Sequence, residues 1–150
     1  MIKDLERKEC LEILRDNYLG HLGYIANGTP YVLPITYYYH HDNSIICYSG
    51  EGHKINSMRK NNTVSLGVDV CESINKWRSV LIHGLFEELH QIDAKYLLHK
   101  FTEGVKEIIA KKEDLHLNAI GEFSSKMHQE KIPIVYRIKI VEITGKARGY

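Results

Sequence analysis

Apolar and polar positions along this chain follow two different periods. Between positions 21 and 89 apolar residues recur mainly at every second position, the period of a half-buried β-strand, whereas residues 4–16 and 93–109 carry them at helical spacing. This pattern predicts a run of strands with a helix before it and a helix after it. The predicted strands are His21–Ala26, Tyr31–His40, Ile45–Ser49, Thr63–Val70, Trp77–Leu89 and Pro133–Ile143, and the predicted helices are Asp4–Asp16, His53–Asn61 and one that Asp93 caps. The stretch from Lys111 to Lys131 is poorly periodic and predicts loops or a short helix.

Turn and breaker residues set the connections between these strands. Asn27-Gly28-Thr29-Pro30 predicts a hairpin between the first two, and Gly84 predicts a bulge in the fifth. Pro34 cannot donate to a sheet ladder, so its strand is expected at an edge or a bulge. Six mostly antiparallel strands with few helices predict a mainly β fold, a small barrel with flanking helices. Only one short helix interrupts the first five strands, which excludes a doubly wound parallel sheet.

Composition narrows the classes of function. The 150 residues are 43% hydrophobic and 26% charged, which predicts one globular domain over residues 1–150. The formal net charge is +1 and the basic residues are dispersed among acidic ones, so we expect no nucleic-acid partner.

Three features bear on location. The first residues are charged and lack the apolar segment of a secretory signal, and the three cysteines form no C-x-x-C pair. Residues 17–41 lack Asp, Glu, Lys and Arg, but glycines and prolines interrupt them, so no membrane span is predicted. A cytoplasmic protein is the expectation.

The segment from Ile45 to Met58 predicts a strand, a glycine turn and a helix that begins at His53 and Lys54. A helix N-terminus carries partial positive charge and unpaired N–H groups, so a lysine there is unfavourable unless an anion is bound. A phosphate on the free N–H groups near Gly52 and His53, paired with Lys54, would satisfy this condition. The alternative is a surface lysine on a helix that Ser49 caps.

Other chemistry has weaker support. The backbone beside Pro34 is free either to bind the polar edge of a flat heterocycle or simply to protect a sheet edge from aggregation. The chain contains nine histidines, but the adjacent His40 and His41 are expected on opposite faces of a strand and no Cys/His cluster is present, so no metal site is predicted. No Gly-x-Ser-x-Gly motif suggests hydrolase chemistry.

Several short motifs, taken in order, resemble the FMN-binding split-barrel family of the pyridoxamine 5′-phosphate oxidase-like superfamily, and in particular its nitroimidazole-resistance branch. The motifs are Gly28-Thr29-Pro30-Tyr31-Val32-Leu33-Pro34-Ile35-Thr36-Tyr37, Tyr48-Ser49-x-x-Gly52-His53-Lys54, Asn61-Asn62-Thr63-Val64, Ser79-Val80-x-x-x-Gly84 and Ile143-Thr144-Gly145-Lys146. The resemblance covers residues 11–88 and the last fifteen or so residues.

This resemblance implies a six-stranded antiparallel split β-barrel that binds FMN at a homodimer interface. Leu33, Pro34, Ile35 and Thr36 would then follow the isoalloxazine edge, and Tyr48 and Ser49 would line the ribityl chain and phosphate. Gly52, His53 and Lys54 would hold the phosphate, and Arg78 and Ser79 would approach from the next long strand.

The implied function is an oxidoreductase that passes electrons from a reduced nicotinamide or another donor to a small organic acceptor such as a nitro-aromatic compound. Two alternatives stay open: a non-catalytic FMN carrier or stress protein, and a haem-binding or haem-degrading split barrel. Pyridoxamine 5′-phosphate oxidases proper carry Arg-Lys where this chain has His53-Lys54, so we expect no vitamin B6 oxidation.

Overall fold

The computed structural model describes residues 1–41, 43–113 and 133–150. Within them, no helix is long and apolar enough to cross a membrane. The strands are β1 (Ile2–Asp4), β2 (Leu19–Ala26), β3 (Thr29–Thr36), β4 (Tyr38–His40), β5 (Ser44–Ser49), β6 (Thr63–Ser73), β7 (Lys76–Glu88) and β8 (Ile134–Arg148). The helices are α1 (Arg7–Asp16), α2 (His53–Lys60) and α3 (Gln91–Glu113).

All strand pairs are antiparallel, in the order β3-β2-β6-β7-β8-β5-β4, with β1 paired to β8. β3 and β4 lie at opposite ends of this order, yet only Tyr37 separates them along the chain. The two ends of the sheet therefore meet at Tyr37, and the sheet curves into a barrel. The mainly β, antiparallel split-barrel prediction is confirmed, with eight described strands instead of six, because β1 was not predicted and the predicted strand Tyr31–His40 is divided into β3 and β4.

The first short strand replaces the predicted start of α1. Asp4 is not a helix cap, because its backbone pairs with Lys146 of β8. The helix begins at Arg7, where the N–H of Glu6 donates to the Glu9 carboxylate over 2.8 Å. All three residues of β1 are exposed, so no apolar alternation marks it in the sequence.

The predicted strand Tyr31–His40 is split at Tyr37. The side chain of Tyr37 is fully buried and its hydroxyl donates to the Leu14 carbonyl over 3.0 Å, while its N–H donates to the Tyr18 carbonyl. These bonds tie the chain to α1 and redirect it from β3 to β4. His41 follows β4 in a turn, so its ring lies 4.0 Å from that of His40. The expectation that the two histidines point to opposite faces is therefore wrong.

Two apolar clusters hold the fold together. The larger one fills the barrel and joins α1 and α2 to the inner faces of the strands, with Leu22, Tyr37, Leu66, Ile82 and Tyr136 among its members. The smaller one fixes α3 to the outside of the barrel. Its buried members are Ile46, Leu89, Leu97, Phe101, Val105, Ile109 and Val135.

The bulge at Gly84, the end of β8 and the start of α3 can also be compared with the predictions from the sequence. The bulge at Gly84 is confirmed by a register shift there against β8. β8 extends five residues beyond its predicted end, where it pairs with β7 and β1. Apolar alternation did not indicate this extension, because its inward position is Gly145, where a Cβ would lie 2.6 Å from the Cys10 sulfur. Asp93 lies in the first turn of α3 rather than capping it. Of the stretch predicted as loops or a short helix, residues 111–113 end α3 and residues 114–131 lie outside the described residues.

Candidate functional site

The unpaired edge of β3 and the part of β5 beyond β4 lie at the two ends of the sheet, and we call the split between these two ends the cleft. β3 is the end strand of the sheet, which confirms the edge position predicted from Pro34. The N–H of Tyr37 points towards β2 and reaches the Tyr18 carbonyl over 2.8 Å. Since backbone groups alternate along a strand, the even positions Val32, Pro34 and Thr36 direct theirs away from β2. Val32 and Thr36 thus carry N–H groups that the β2–β3 ladder does not use.

The end of β5 forms the opposite side of this cleft. β4 pairs only with Ser44, Ile45 and Ile46 of β5, so residues 47–49 extend beyond it. The chain from β3 into β4 therefore pairs with β5 at one end and diverges from it towards the other. Tyr48 is half-buried, with its ring edge-on to Phe101 of α3 at 5.3 Å. The Ser49 hydroxyl donates to the Gly50 carbonyl over 2.9 Å and does not cap α2.

The start of α2 closes the wide end of the cleft. Gly52 is the N-cap residue, no side chain caps the helix, and its first turn contains no acidic residue. The first N–H to bond back within the helix is that of Asn56, to the Gly52 carbonyl over 3.1 Å. The N–H groups of His53, Lys54 and Ile55 therefore have no intrahelical acceptor, and the positive end of the helix dipole is not balanced by its own residues.

Lys54 adds a full positive charge to this end. Its side chain is half-buried, and it forms no ion pair with any residue that the structure describes. Burial raises the pKa of Cys47 to about 12, and the positive charge of Lys54 acts in the opposite direction, because the ammonium lies near the end of β5. A half-buried lysine without a carboxylate partner is a place for an anionic ligand.

Glu51 is the carboxylate nearest in sequence to this helix start, and Arg59 holds it. The two guanidinium amines of Arg59 lie 3.0 and 3.1 Å from the Glu51 oxygens. Arg59 also bonds Glu88 at the end of β7, through contacts of 2.7 and 2.8 Å, and lowers the pKa of Glu88. The Glu51 charge is thus neutralised by a residue of the second turn of α2 rather than by the helix start.

His53 lies on a pair of stacked tyrosines. The rings of Tyr24 and Tyr31 are cross-strand neighbours in β2 and β3, with centroids 5.3 Å apart. The His53 ring is edge-on to Tyr31 at 5.0 Å, and its Nδ1 lies 2.9 Å from the Tyr24 hydroxyl. Sequence reasoning missed both tyrosines, although they are equidistant from the Asn27-Gly28 turn and could have been paired on that basis.

Nine of the eleven predicted site residues lie on the elements that border this cleft. Leu33, Pro34, Ile35 and Thr36 lie on the β3 side, Tyr48 and Ser49 on the β5 side, and Gly52, His53 and Lys54 at the α2 end. Arg78 and Ser79 do not join them within one chain, since β2 and β6 separate β7 from β3. The Arg78 guanidinium lies instead 4.7 Å from the centre of the Tyr150 ring, with a buried Nε that bonds no described residue.

The described residues contain no group of three His, Cys, Asp or Glu side chains placed to hold a metal ion. The cleft therefore offers backbone donors, aromatic rings and one helix start with a lysine. These groups suit an elongated ligand with a flat polar edge at one end and an anionic group at the other.

Comparison with known proteins identifies the family of this chain. The model of the pyridoxamine 5′-phosphate oxidase family matches residues 6–147. The chain belongs to this family. A curated relative, an uncharacterized protein of Rhizobium meliloti, is 35% identical over 88 residues, which span 59% of this chain and 58% of that protein. The match thus covers less than two thirds of the relative.

Solved structures of similar shape share the fold of this chain. An FAD-binding protein from Mesorhizobium loti has a TM-score of 0.76 and 26% identity, and the match covers 100% of this chain and 98% of that one. A candidate 5-nitroimidazole antibiotic resistance protein from Bacteroides thetaiotaomicron has a TM-score of 0.68 and 18% identity, over 98% and 89% of the two chains. The split-barrel fold of the family is therefore the fold of this protein.

Proposed function

We propose that this protein is a flavoprotein that binds FMN in the cleft between β3 and β5. The isoalloxazine edge lies along Leu33 to Thr36, where Pro34 and Thr36 direct backbone groups away from β2, and the ribityl chain passes Tyr48 and Ser49. The phosphate binds at the start of α2, on the N–H groups near Gly52 and His53 and on the Lys54 ammonium. Strand geometry supports this extent, because the six residues from Tyr31 to Thr36 span about 17 Å.

The unbalanced start of α2 is the observation that carries this proposal. It combines unpaired N–H groups, a first turn without acid and a half-buried lysine without a carboxylate partner among the described residues. A phosphate dianion satisfies all three, whereas water would leave the lysine charge partly desolvated and unpaired. The residues present therefore fit the group.

The comparisons support a flavin in this family. The similar Mesorhizobium loti protein is named as FAD-binding, so the identity of the nucleotide is part of the test. We propose FMN because the α2 start offers one compact anion site. When bound, a flavin supplies hydride and single-electron transfer, while the protein supplies orientation and electrostatics.

We further propose a homodimer with the flavin at its interface. The outward face of β3, β2, β6 and β7 exposes four apolar side chains: Leu19 is 53% exposed, Val32 71%, Leu81 41% and Leu85 40%. A second copy on this face would cover them, and it would bring the partner's β7 towards the cleft. That arrangement gives Arg78 and Ser79 a route to the flavin that a single chain lacks.

The proposed reaction is electron transfer from a reduced nicotinamide or another donor to a small organic acceptor, with nitro-aromatic compounds as candidates, in the cytoplasm. Vitamin B6 oxidation is not proposed, because His53 stands where those oxidases carry arginine. A non-catalytic FMN carrier would bind the same cofactor but would not catalyse electron transfer. A haem protein would carry a different chromophore.

An absorbance spectrum of the purified protein is the first test, followed by anaerobic addition of NADH or NADPH. A band at about 450 nm that bleaches supports the flavin oxidoreductase. A stable flavin band supports the carrier, and a band near about 400 nm identifies haem and overturns the flavin proposal. Chromatography of the released cofactor separates FMN from FAD, and light scattering at micromolar concentration gives the oligomeric state, where a monomer mass overturns the dimer.

A further inference from the structure

A second cavity lies outside the barrel and shares no residue with the proposed flavin cleft. It has a volume of about 470 Å³ and runs between the end of α1, β4 and α3. We call it the α3 trough and define it by Arg15, Tyr38, Tyr39, His40, Tyr96 and Lys100. The volume is within the range of small-molecule sites.

Aromatic rings form much of this trough. Tyr38 packs directly on the backbone of α3 at Gly104, where a Cβ would overlap its ring. A glycine inside a helix is unfavourable by about 1 kcal/mol relative to alanine, so the contact with Tyr38 gives this position a structural reason. Tyr39 and Tyr96 face the same space from β4 and α3. Flat rings from two elements suit a planar ligand.

Two cations lie over these rings. The Arg15 guanidinium is 5.5 Å from the centre of the Tyr39 ring, and the Lys100 ammonium is 5.6 Å from that of Tyr96. Neither forms an ion pair with a residue in the described ranges. Glu107 is the carboxylate that lines the trough with them, and His40 and His41 add imidazole groups. Among the described residues that line the trough, the two positive charges of Arg15 and Lys100 exceed the one negative charge.

We propose that the α3 trough binds a planar aromatic anion, a ring that carries a phosphate or a carboxylate. The ring stacks on the tyrosines, and the anionic group pairs with Arg15 and Lys100. Nucleoside monophosphates and aryl carboxylates share this chemistry. The inference does not depend on the flavin proposal, because the residues of the two sites are different.

The test measures the dissociation constants of AMP and 4-hydroxybenzoate, with the uncharged analogues adenosine and 4-hydroxybenzamide, by calorimetry on the protein as purified. We expect at least one anion to bind at least about fivefold more tightly than its neutral analogue. Binding of AMP alone assigns the site to nucleotides, and binding of 4-hydroxybenzoate alone assigns it to aryl carboxylates. Equal affinities of anion and neutral analogue overturn the proposal.

Substitutions inside and outside the α3 trough test whether the anion binds there. Lys100→Ala and Arg15→Ala should each weaken it at least about fivefold. Lys95→Ala removes the same charge from the same helix outside the trough and should change it less than about twofold. Tyr96→Ala, at a 55% exposed position, should weaken it without loss of folding. Loss of binding in Lys54→Ala, with Lys100→Ala unaffected, would assign the anion to the cleft and overturn the trough.

Discussion

The imidazole of His53 and the phenol of Tyr24 form one unit, with Nδ1 and the hydroxyl oxygen 2.9 Å apart. Tyr24 is 5% exposed, and burial raises the pKa of its hydroxyl, which keeps it neutral. A neutral phenol can accept a hydrogen bond from a cationic imidazole or donate one to a neutral imidazole. Tyr24 therefore fixes the orientation of His53 in either charge state, and the other ring nitrogen remains directed elsewhere.

Replacing Tyr24 by Phe removes this hydrogen bond and keeps the ring stacked on Tyr31. A hydrogen bond of about 1 kcal/mol corresponds to about a fivefold change in affinity. We expect the FMN dissociation constant, measured by flavin fluorescence quenching, to rise about three- to tenfold. Tyr31→Phe is the matched control, because its hydroxyl bonds no described residue, and it should change the constant less than twofold. Equal effects of the two variants would show that His53 does not act on the flavin.

Lys54→Ala removes an ammonium group from the first turn of α2. Because a charge-assisted contact with a phosphate dianion is lost, we expect FMN binding to weaken more than tenfold. Lys60→Ala, in the last turn of the same helix, makes the same change of net charge and should have less than about a threefold effect. An unchanged dissociation constant in Lys54→Ala would show that the phosphate does not bind at the start of this helix.

The sequence predicts those elements whose cause is local. The hairpin at Asn27-Gly28, the bulge at Gly84 and the helix at His53 follow from turn residues and apolar spacing, and the structure contains all three. Three other predictions failed because their cause lies far along the chain. Asp4 pairs with Lys146, the break at Tyr37 depends on the Leu14 and Tyr18 carbonyls, and Gly145 faces Cys10.

The same distinction holds for the candidate site. Residues near the α2 start are neighbours in sequence, so their juxtaposition could be predicted. The bridge from Arg59 to Glu51 and Glu88 joins three elements, and apolar periodicity contains no signal for it. Arg78 and Ser79 were assigned by resemblance alone, and one chain does not bring them to the cleft. A contact between these two residues and the flavin would require the proposed second copy.

A substitution at Gly84 tests how tightly the strands of the barrel pack at this position. A Cβ at this position would lie 2.5 Å from the Lys139 carbonyl oxygen and 2.7 Å from the Ile138 Cγ2 atom. Overpacking of this kind costs about 1–3 kcal/mol, so Gly84→Ala should lower the free energy of unfolding in urea by that amount. Gly67→Ala is the control within the chain, because a Cβ there meets nothing within 4 Å, and its effect should stay below about 0.5 kcal/mol. Similar losses in both variants would contradict the assignment to the Lys139 contact.

Arg59 determines where the Glu51 charge lies, and a double-mutant cycle can separate this electrostatic role from a structural one. In Arg59→Ala the Glu51 carboxylate is released one residue before the Gly52 cap, where the helix dipole attracts it and it competes with the flavin phosphate. We expect the FMN dissociation constant to rise about five- to tenfold. Glu51→Gln alone should change it less than twofold, and Glu51→Gln added to Arg59→Ala should restore tight binding, because no carboxylate then competes. Glu88→Gln also weakens the attachment of Arg59 to β7 but leaves Glu51 paired, so it should affect thermal stability more than affinity. If the double variant binds FMN as weakly as Arg59→Ala does, Arg59 serves only to anchor α2, and the expectation that Glu51 competes with the flavin phosphate is wrong.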